Sequence, residues 1–272
     1  MHIRRKTADS GINMNAEIAL DPEEIFPSER RQIIVGVLQS EGKVVAAELS
    51  SRLKVSIDTI RRDLNQLAQE GMIQRVHGGG LPASPALKPV VQRQLKARDE
   101  KQALAEKAAQ LIHNGIVVFM DSGSTAVEVA RAVDPQMEFT LITHSPRAAL
   151  TLAEKGSRAE IILLGGRLDA HELVTMSPST ITEIRKFRAD LFFMGICSIH
   201  PGLGITCRTL EDLEMKRAMS EASAEVAGLA TSEKLGTAAP MVLGPVSMIH
   251  YLVTDAVAEI AQEYGRFGVT IL

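Results

Sequence analysis

Between Pro27 and Val76, apolar residues recur at helical spacing in three short blocks. Ile33, Ile34, Val37 and Leu38 stripe the first, which Ser28 is expected to open as N-cap and Glu41-Gly42 to stop. Ala46, Leu49 and Leu53 mark the second. Ser56 caps the third, whose inward face is Ile60, Leu64 and Leu67 and whose end is Gly71. Met72–Val76 then predicts a strand, His77-Gly78-Gly79-Gly80 a tight turn, and Leu81-Pro82-Ala83-Ser84-Pro85 a linker. Three helices followed by a strand pair predict a winged helix-turn-helix over residues 27–82.

From about Pro89 the pattern changes. A polar helix with the stripe Ala103, Leu104, Ala108 and Leu111 precedes a series of short apolar runs. These are Ile116–Met120, Phe139–Thr143, Ile161–Leu164, Leu191–Met194, Val226–Ala230 and Tyr251–Thr254. Continuous apolar strands separated by helices predict a buried, mostly parallel sheet, hence an α/β domain over residues 89–272. Residues 83–88 are the expected linker, and residues 1–26, without sustained periodicity, a flexible N-terminal extension.

Composition adjusts this picture in a few places. Aromatics make up 3% of the 272 residues, so the cores must be built from Ala, Val, Ile and Leu. The net charge of −3 hides an uneven distribution, because eight basic and six acidic side chains give residues 27–82 a net +2. No run is long and apolar enough for a membrane span, and Met1–Lys6 lack the apolar stretch of a secretory signal. Cys197 and Cys207 have neither CxxC spacing nor a nearby His pair, so free thiols and no metal or cofactor are expected.

The third helix carries the chemistry of the small domain. Ser56, Asp58, Thr59, Arg61 and Arg62 fall on its polar surface, with Arg75 and His77 near the tip of the wing. Residues at a helix N-terminus reach base edges in a major groove, and arginine forks suit either a guanine edge or a phosphate.

In the larger domain, Met120-Asp121-Ser122-Gly123-Ser124-Thr125 stands where a strand passes into a helix. Unpaired N–H groups there, the positive end of the helix dipole and the hydroxyls favour a phosphate. Thr143-His144-Ser145 and Gly165-Gly166-Arg167 end the next two strands, and ligands of open parallel sheets collect at such ends. Glu211, Lys216 and Lys234 repeat the mixture of small, hydroxyl-bearing and charged groups further on.

Arg30-Arg31-Gln32-Ile33, Ser56–Leu64 and Arg75-Val76-His77-Gly78-Gly79-Gly80 together resemble the head of DeoR-family regulators, and the resemblance continues over nearly the whole chain beyond residue 27. It implies a bacterial, cytoplasmic regulator, usually a repressor, that binds double-stranded operator DNA and senses a phosphorylated sugar or related metabolite. It also implies a sensor fold similar to sugar-phosphate isomerases, and a homodimer or homotetramer. By matching position, the implied ligand contacts are Asp121, Ser122, Gly123, Ser124, Thr125, Ser145, Gly166, Lys216 and Lys234. The chain's own pattern adds His144, Arg167 and Glu211. His144 stands where the family commonly has Asn, Met176-Ser177 where it has Val-Gly, and Cys197-Ser198 where it has Asp-Gly. No catalytic residue is assigned. The rival reading is an aldose–ketose sugar-phosphate isomerase with an accessory DNA-binding head, with Glu211 or Asp121 as its base.

Overall fold

The computed structural model describes residues 25–87 and 98–272. The flexible extension expected at the N-terminus, up to residue 24, and residues 88–97, with the end of the expected linker, lie outside them.

The head is built from α1 (Pro27–Glu41), β1 (Val44–Val45), α2 (Ala46–Leu53), α3 (Ile57–Gln69), β2 (Ile73–Val76) and β3 (Gly79–Pro82). Ile34, Leu38, Leu49, Leu53, Ile60, Leu64 and Leu67 close its core, as their spacing predicts. Ser56 caps α3, accepting the Thr59 N–H at 3.1 Å. Ser28 does not cap α1. The helix begins at Pro27, whose fixed φ suits the first helical position, and the Glu29 carboxylate accepts the Phe26 N–H at 3.1 Å. Gly79 and Gly80, expected in the turn, instead begin β3, which pairs with β2 and also with β1. A Cβ on Gly79 would lie 1.9 Å from the Val44 carbonyl oxygen, so only glycine lets β1 approach this closely.

The larger domain has a seven-stranded parallel sheet in the order β15-β14-β12-β9-β4-β5-β6. Its strands are β4 (Val117–Met120), β5 (Thr140–Thr143), β6 (Glu160–Leu163), β9 (Ala189–Gly195), β12 (Ser223–Leu229), β14 (Tyr251–Val253) and β15 (Thr270–Ile271). Each apolar run read from the sequence supplies one strand, and β15 is the additional one. Side chains alternate between two cores. Phe119, Ile142 and Phe192 enter one with Leu213, Met215 and Met219 of a helix at Leu210–Glu221. Val118, Met120, Leu141, Leu191 and Phe193 enter the other, with α4 (Arg98–Ala109), α5 (Ser124–Ala132) and α6 (Pro146–Glu154). The α4 stripe is Leu104, Ala105, Ala108 and then Ile112; Ala103, expected within it, is exposed.

Smaller elements crowd the carboxyl end of the sheet. β7 (Arg167–Asp169) and β8 (Val174–Met176) form a hairpin leading to α7 (Pro178–Ile184). β10 (Ser198–His200), β11 (Gly204–Cys207) and β13 (Met241–Gly244) form a second sheet, with α8 (Leu210–Glu221) between β11 and β12 and α9 (Ala258–Gly265) near the end. Residues 83–87 depart from the expected free linker. Ala83 bridges to Ala238, and a short 3₁₀ turn at Pro85–Leu87 lies against the sensor domain, with Ala86 buried.

Candidate functional site

β4 and β9 lie side by side mid-sheet, and the chain leaves them in opposite directions, β5 and β6 to one flank and β12, β14 and β15 to the other. Such a reversal opens a crevice beyond the strands' carboxyl ends. Asp121 is fully buried at this point. Its Oδ1 accepts the Ser122 N–H at 2.7 Å and its Oδ2 the Gly195 N–H at 2.9 Å, tying the end of β4 to the end of β9. Lys216 Nζ of α8 lies 2.8 Å from Oδ2 and also pairs with Asp212.

Burial alone would push the Asp121 carboxyl up, but the Lys216 ammonium beside it and the donated hydrogen bonds hold it below the usual carboxylate range. For Lys216 burial works downward, and Asp121 and Asp212 together raise it well above the ordinary lysine value. His144 Nε2 is 3.7 Å from Asp121 Oδ1, yet burial wins and holds the ring below its ordinary value, hence neutral at pH 7. The Thr175 N–H and hydroxyl donate to the His144 carbonyl at 2.9 and 3.0 Å, fixing the backbone that carries it. Its Nδ1 is buried without a hydrogen-bond partner.

Above this charged floor is a cavity of about 510 Å³. Nine of the twelve expected ligand residues line it: Ser122, Gly123, Ser124, Thr125, His144, Arg167, Glu211, Lys216 and Lys234. Gly123 is the N-cap of α5 at φ 101°, and no side chain caps that first turn. Its N–H groups are therefore available at the positive end of the helix.

Asp121, Ser145 and Gly166 do not line the cavity. Asp121 lies behind the cavity wall, its oxygens engaged by the partners above. Ser145 accepts the Ala148 N–H at 3.3 Å as the cap of α6. Gly166, at φ 146°, is set aside from the cavity, where a Cβ would meet Thr180 Oγ1 at 2.7 Å. The sequence reading missed Asp212, Arg208 and Thr209 in the wall, and gave Met176, Ser177 and Cys197 only as family departures. Asp212 stands one helical turn before Lys216, a spacing that could have flagged it. It also accepts a hydrogen bond from the Cys197 thiol at 3.6 Å, so a carboxylate borders Cys197. Among the described residues no group of His, Cys, Asp and Glu has a metal-binding arrangement.

In the head, Ser56, Asp58, Arg61 and Arg62 are exposed on α3, Thr59 is half-buried, and His77 is exposed at the wing turn. Arg61 pairs with Asp58 at 3.0 Å. Arg75 turns back onto α3, donating to the Arg61 carbonyl at 3.2 Å and to Asn65 Oδ1 at 2.7 Å, so it braces the wing against the helix. The sequence reading also missed a buried ion pair beneath α3, where Arg30 of α1 holds both carboxylate oxygens of Asp63.

Residues 30–84 match the DeoR-like helix-turn-helix domain, and residues 96–256 match the DeoR C-terminal sensor domain. The chain is 32% identical over 253 residues to the HTH-type transcriptional regulator GlpR of Haloferax volcanii, covering 91% of this chain and 98% of that one. It is 33% identical over 230 residues to the glycerol-3-phosphate regulon repressor of Escherichia coli, covering 84% and 91%. Ribose 5-phosphate isomerase A of Methanocaldococcus jannaschii aligns over 51% of this chain and 54% of its own, at 17% identity and a TM-score of 0.37, a likeness too distant to argue from. With both domains matched in order and the relatives aligned over most of their length, the chain belongs to the DeoR family of DNA-binding transcriptional regulators.

Proposed function

We propose that the chain is a repressor that releases its operator when a phosphorylated sugar or polyol fills the cavity at the β4–β9 switch point. One observation carries this reading: the uncapped N-terminus of α5, Lys216 and Lys234 all face the same 510 Å³ space. The phosphate would seat on Ser122–Thr125, with the hydroxyls toward Asp212 and His144. Three relatives are named glycerol-3-phosphate regulon repressors, which makes that compound the first probe. Calorimetry with glycerol 3-phosphate, a pentose 5-phosphate and a hexose 6-phosphate should find at least one that binds while its unphosphorylated parent does not. Ser124→Ala with Thr125→Ala should weaken that binding about tenfold, roughly 1.4 kcal/mol. Unchanged affinity in the double variant would move the phosphate elsewhere.

The site fits a receptor and not an isomerase. Asp121 is buried, and its oxygens already accept two N–H groups and a lysine, so it is not poised as a base; Glu211 is exposed at the rim. A symmetric dimer or tetramer in the cytoplasm would set paired heads on operator half-sites. Among the described residues no helix is long and apolar enough to cross a membrane. Ser56, Asp58, Thr59, Arg61 and Arg62 face the major groove in this reading, and His77 the flanking backbone. Arg61→Ala should cost about 1–3 kcal/mol of operator affinity if the fork reads a base. A footprinting titration with unchanged affinity removes Arg61 from the interface.

A further inference from the structure

The wing does not end in a free tether. β3 runs directly into residues 83–87, and this strap is fastened to the sensor domain by backbone and side-chain bonds. The Ala238 N–H donates to the Pro82 carbonyl at 3.1 Å, and the Ser84 N–H returns the bond to the Ala238 carbonyl at 3.1 Å. The Ser84 hydroxyl donates to the Cys197 carbonyl at 2.6 Å while accepting the Ala86 N–H at 3.0 Å. Ser84 is itself buried, although it joins two segments 113 residues apart in sequence. The last residue of a wing strand is thus bonded to the sensor domain.

The strap also reaches the cavity. Ala86 lines it, together with Cys197, whose carbonyl holds Ser84, and Lys234, whose turn (Ser232–Lys234) lies beside the strap. A ligand seated on α5 shares its enclosure with the segment that anchors the wing. We propose that the strap Ala83–Leu87 lends the effector site one wall residue, Ala86, and couples that site to the wing, so that an occupant of the cavity is read by the strap itself. This rests on the effector reading above. Occupancy changes the position of the Cys197 loop or of Ala86, the Ser84 bonds follow, and β3 carries the shift into the wing. Differential affinity for the two strap positions is what links the ligand to DNA.

The test uses the full chain, with the phosphorylated probe that binds the wild type by calorimetry and an operator duplex read by fluorescence anisotropy. Ser84→Ala removes the hydroxyl that joins the strap to the Cys197 loop without touching the cavity lining. It should bind the probe within threefold of wild type, while a tenfold or larger response of operator affinity to the probe falls below threefold. Ala86→Leu enlarges the wall from the strap side. It should weaken probe binding tenfold or more. A wild-type chain that binds none of the phosphorylated probes overturns the effector reading, and this proposal with it. A wild type that binds and responds, beside a Ser84→Ala variant that responds in full and an Ala86→Leu variant that binds normally, overturns the strap alone.

Discussion

Lys216→Met is expected to lower the stability of the sensor domain by about 3–5 kcal/mol, the usual consequence of removing one partner from a buried ion pair. Methionine replaces the length of the side chain, so the loss is one of charge more than of packing. Asp121 would keep its two backbone donors but lose the ammonium that compensates its burial, whereas Asp212 at the cavity wall can turn to solvent. The measurement is clean because the chain has no Trp and two Tyr, and both tyrosines, Tyr251 and Tyr264, lie in the sensor domain. Tyrosine fluorescence in urea therefore follows that domain without the head.

The pH dependence has a definite sign. Asp121 is depressed in the folded state, so its contribution is intact above the unfolded value of 3.8 and is lost as pH falls below it. His144 is depressed by burial, so the unfolded chain takes up its proton first and stability also declines as pH falls through 6.5. In Lys216→Met the strongest opposition to the burial of Asp121 is gone, and its carboxyl takes a proton at higher pH than in the wild type. The gap between the two proteins should then narrow toward acid. A gap that is small at pH 7, or that widens in acid, would show that the pair does not carry the sensor's stability.

The sequence made the repeating parts of this fold legible and hid the parts held by distant partners. Apolar spacing found α1 to α3 because each stripe faces one core, and continuous runs found six of the sheet's strands, five because both of their faces are covered and β6 at the edge although Leu163 is exposed. β1 is two residues long and exists only because Gly79 admits it, so no local pattern announces it. Pro82–Leu87 has the composition of a linker, and what docks it is a set of bonds to Ala238 and Cys197 that nothing near it in sequence encodes. At the site, the Ser122–Thr125 turn was readable from its chemistry. The burial of Asp121 was not, since a carboxylate after a strand looks the same whether it meets a ligand or a lysine from a helix far along the chain. The contacts of Arg75 were hidden for a similar reason, because nothing near it in sequence announces that its guanidinium turns back to Arg61 and Asn65 on α3.

Asp63→Ala should abolish operator binding although Asp63 is buried beneath α3, away from the exposed face that carries Arg61 and Arg62. Its carboxylate is buried and accepts from both Nε and Nη2 of buried Arg30, with Arg31 at 3.8 Å. Truncation strands the Arg30 guanidinium between α1 and α3, at a cost of about 3–5 kcal/mol. A head of this size has roughly 3–8 kcal/mol in total at typical values per residue, so most of it is at stake. The loss is local, and that gives the experiment its contrast. Far-UV circular dichroism should show a helical fraction melting early, the tyrosine signal should keep its wild-type urea midpoint, and the phosphorylated probe should bind as before. Asp63→Asn, which keeps one acceptor oxygen for Arg30 but no charge, should fall between the two. If the alanine variant keeps both its helical melting transition and its operator affinity, the recognition helix is held by its apolar face alone, and the ion pair beneath it adds little to either folding or DNA binding.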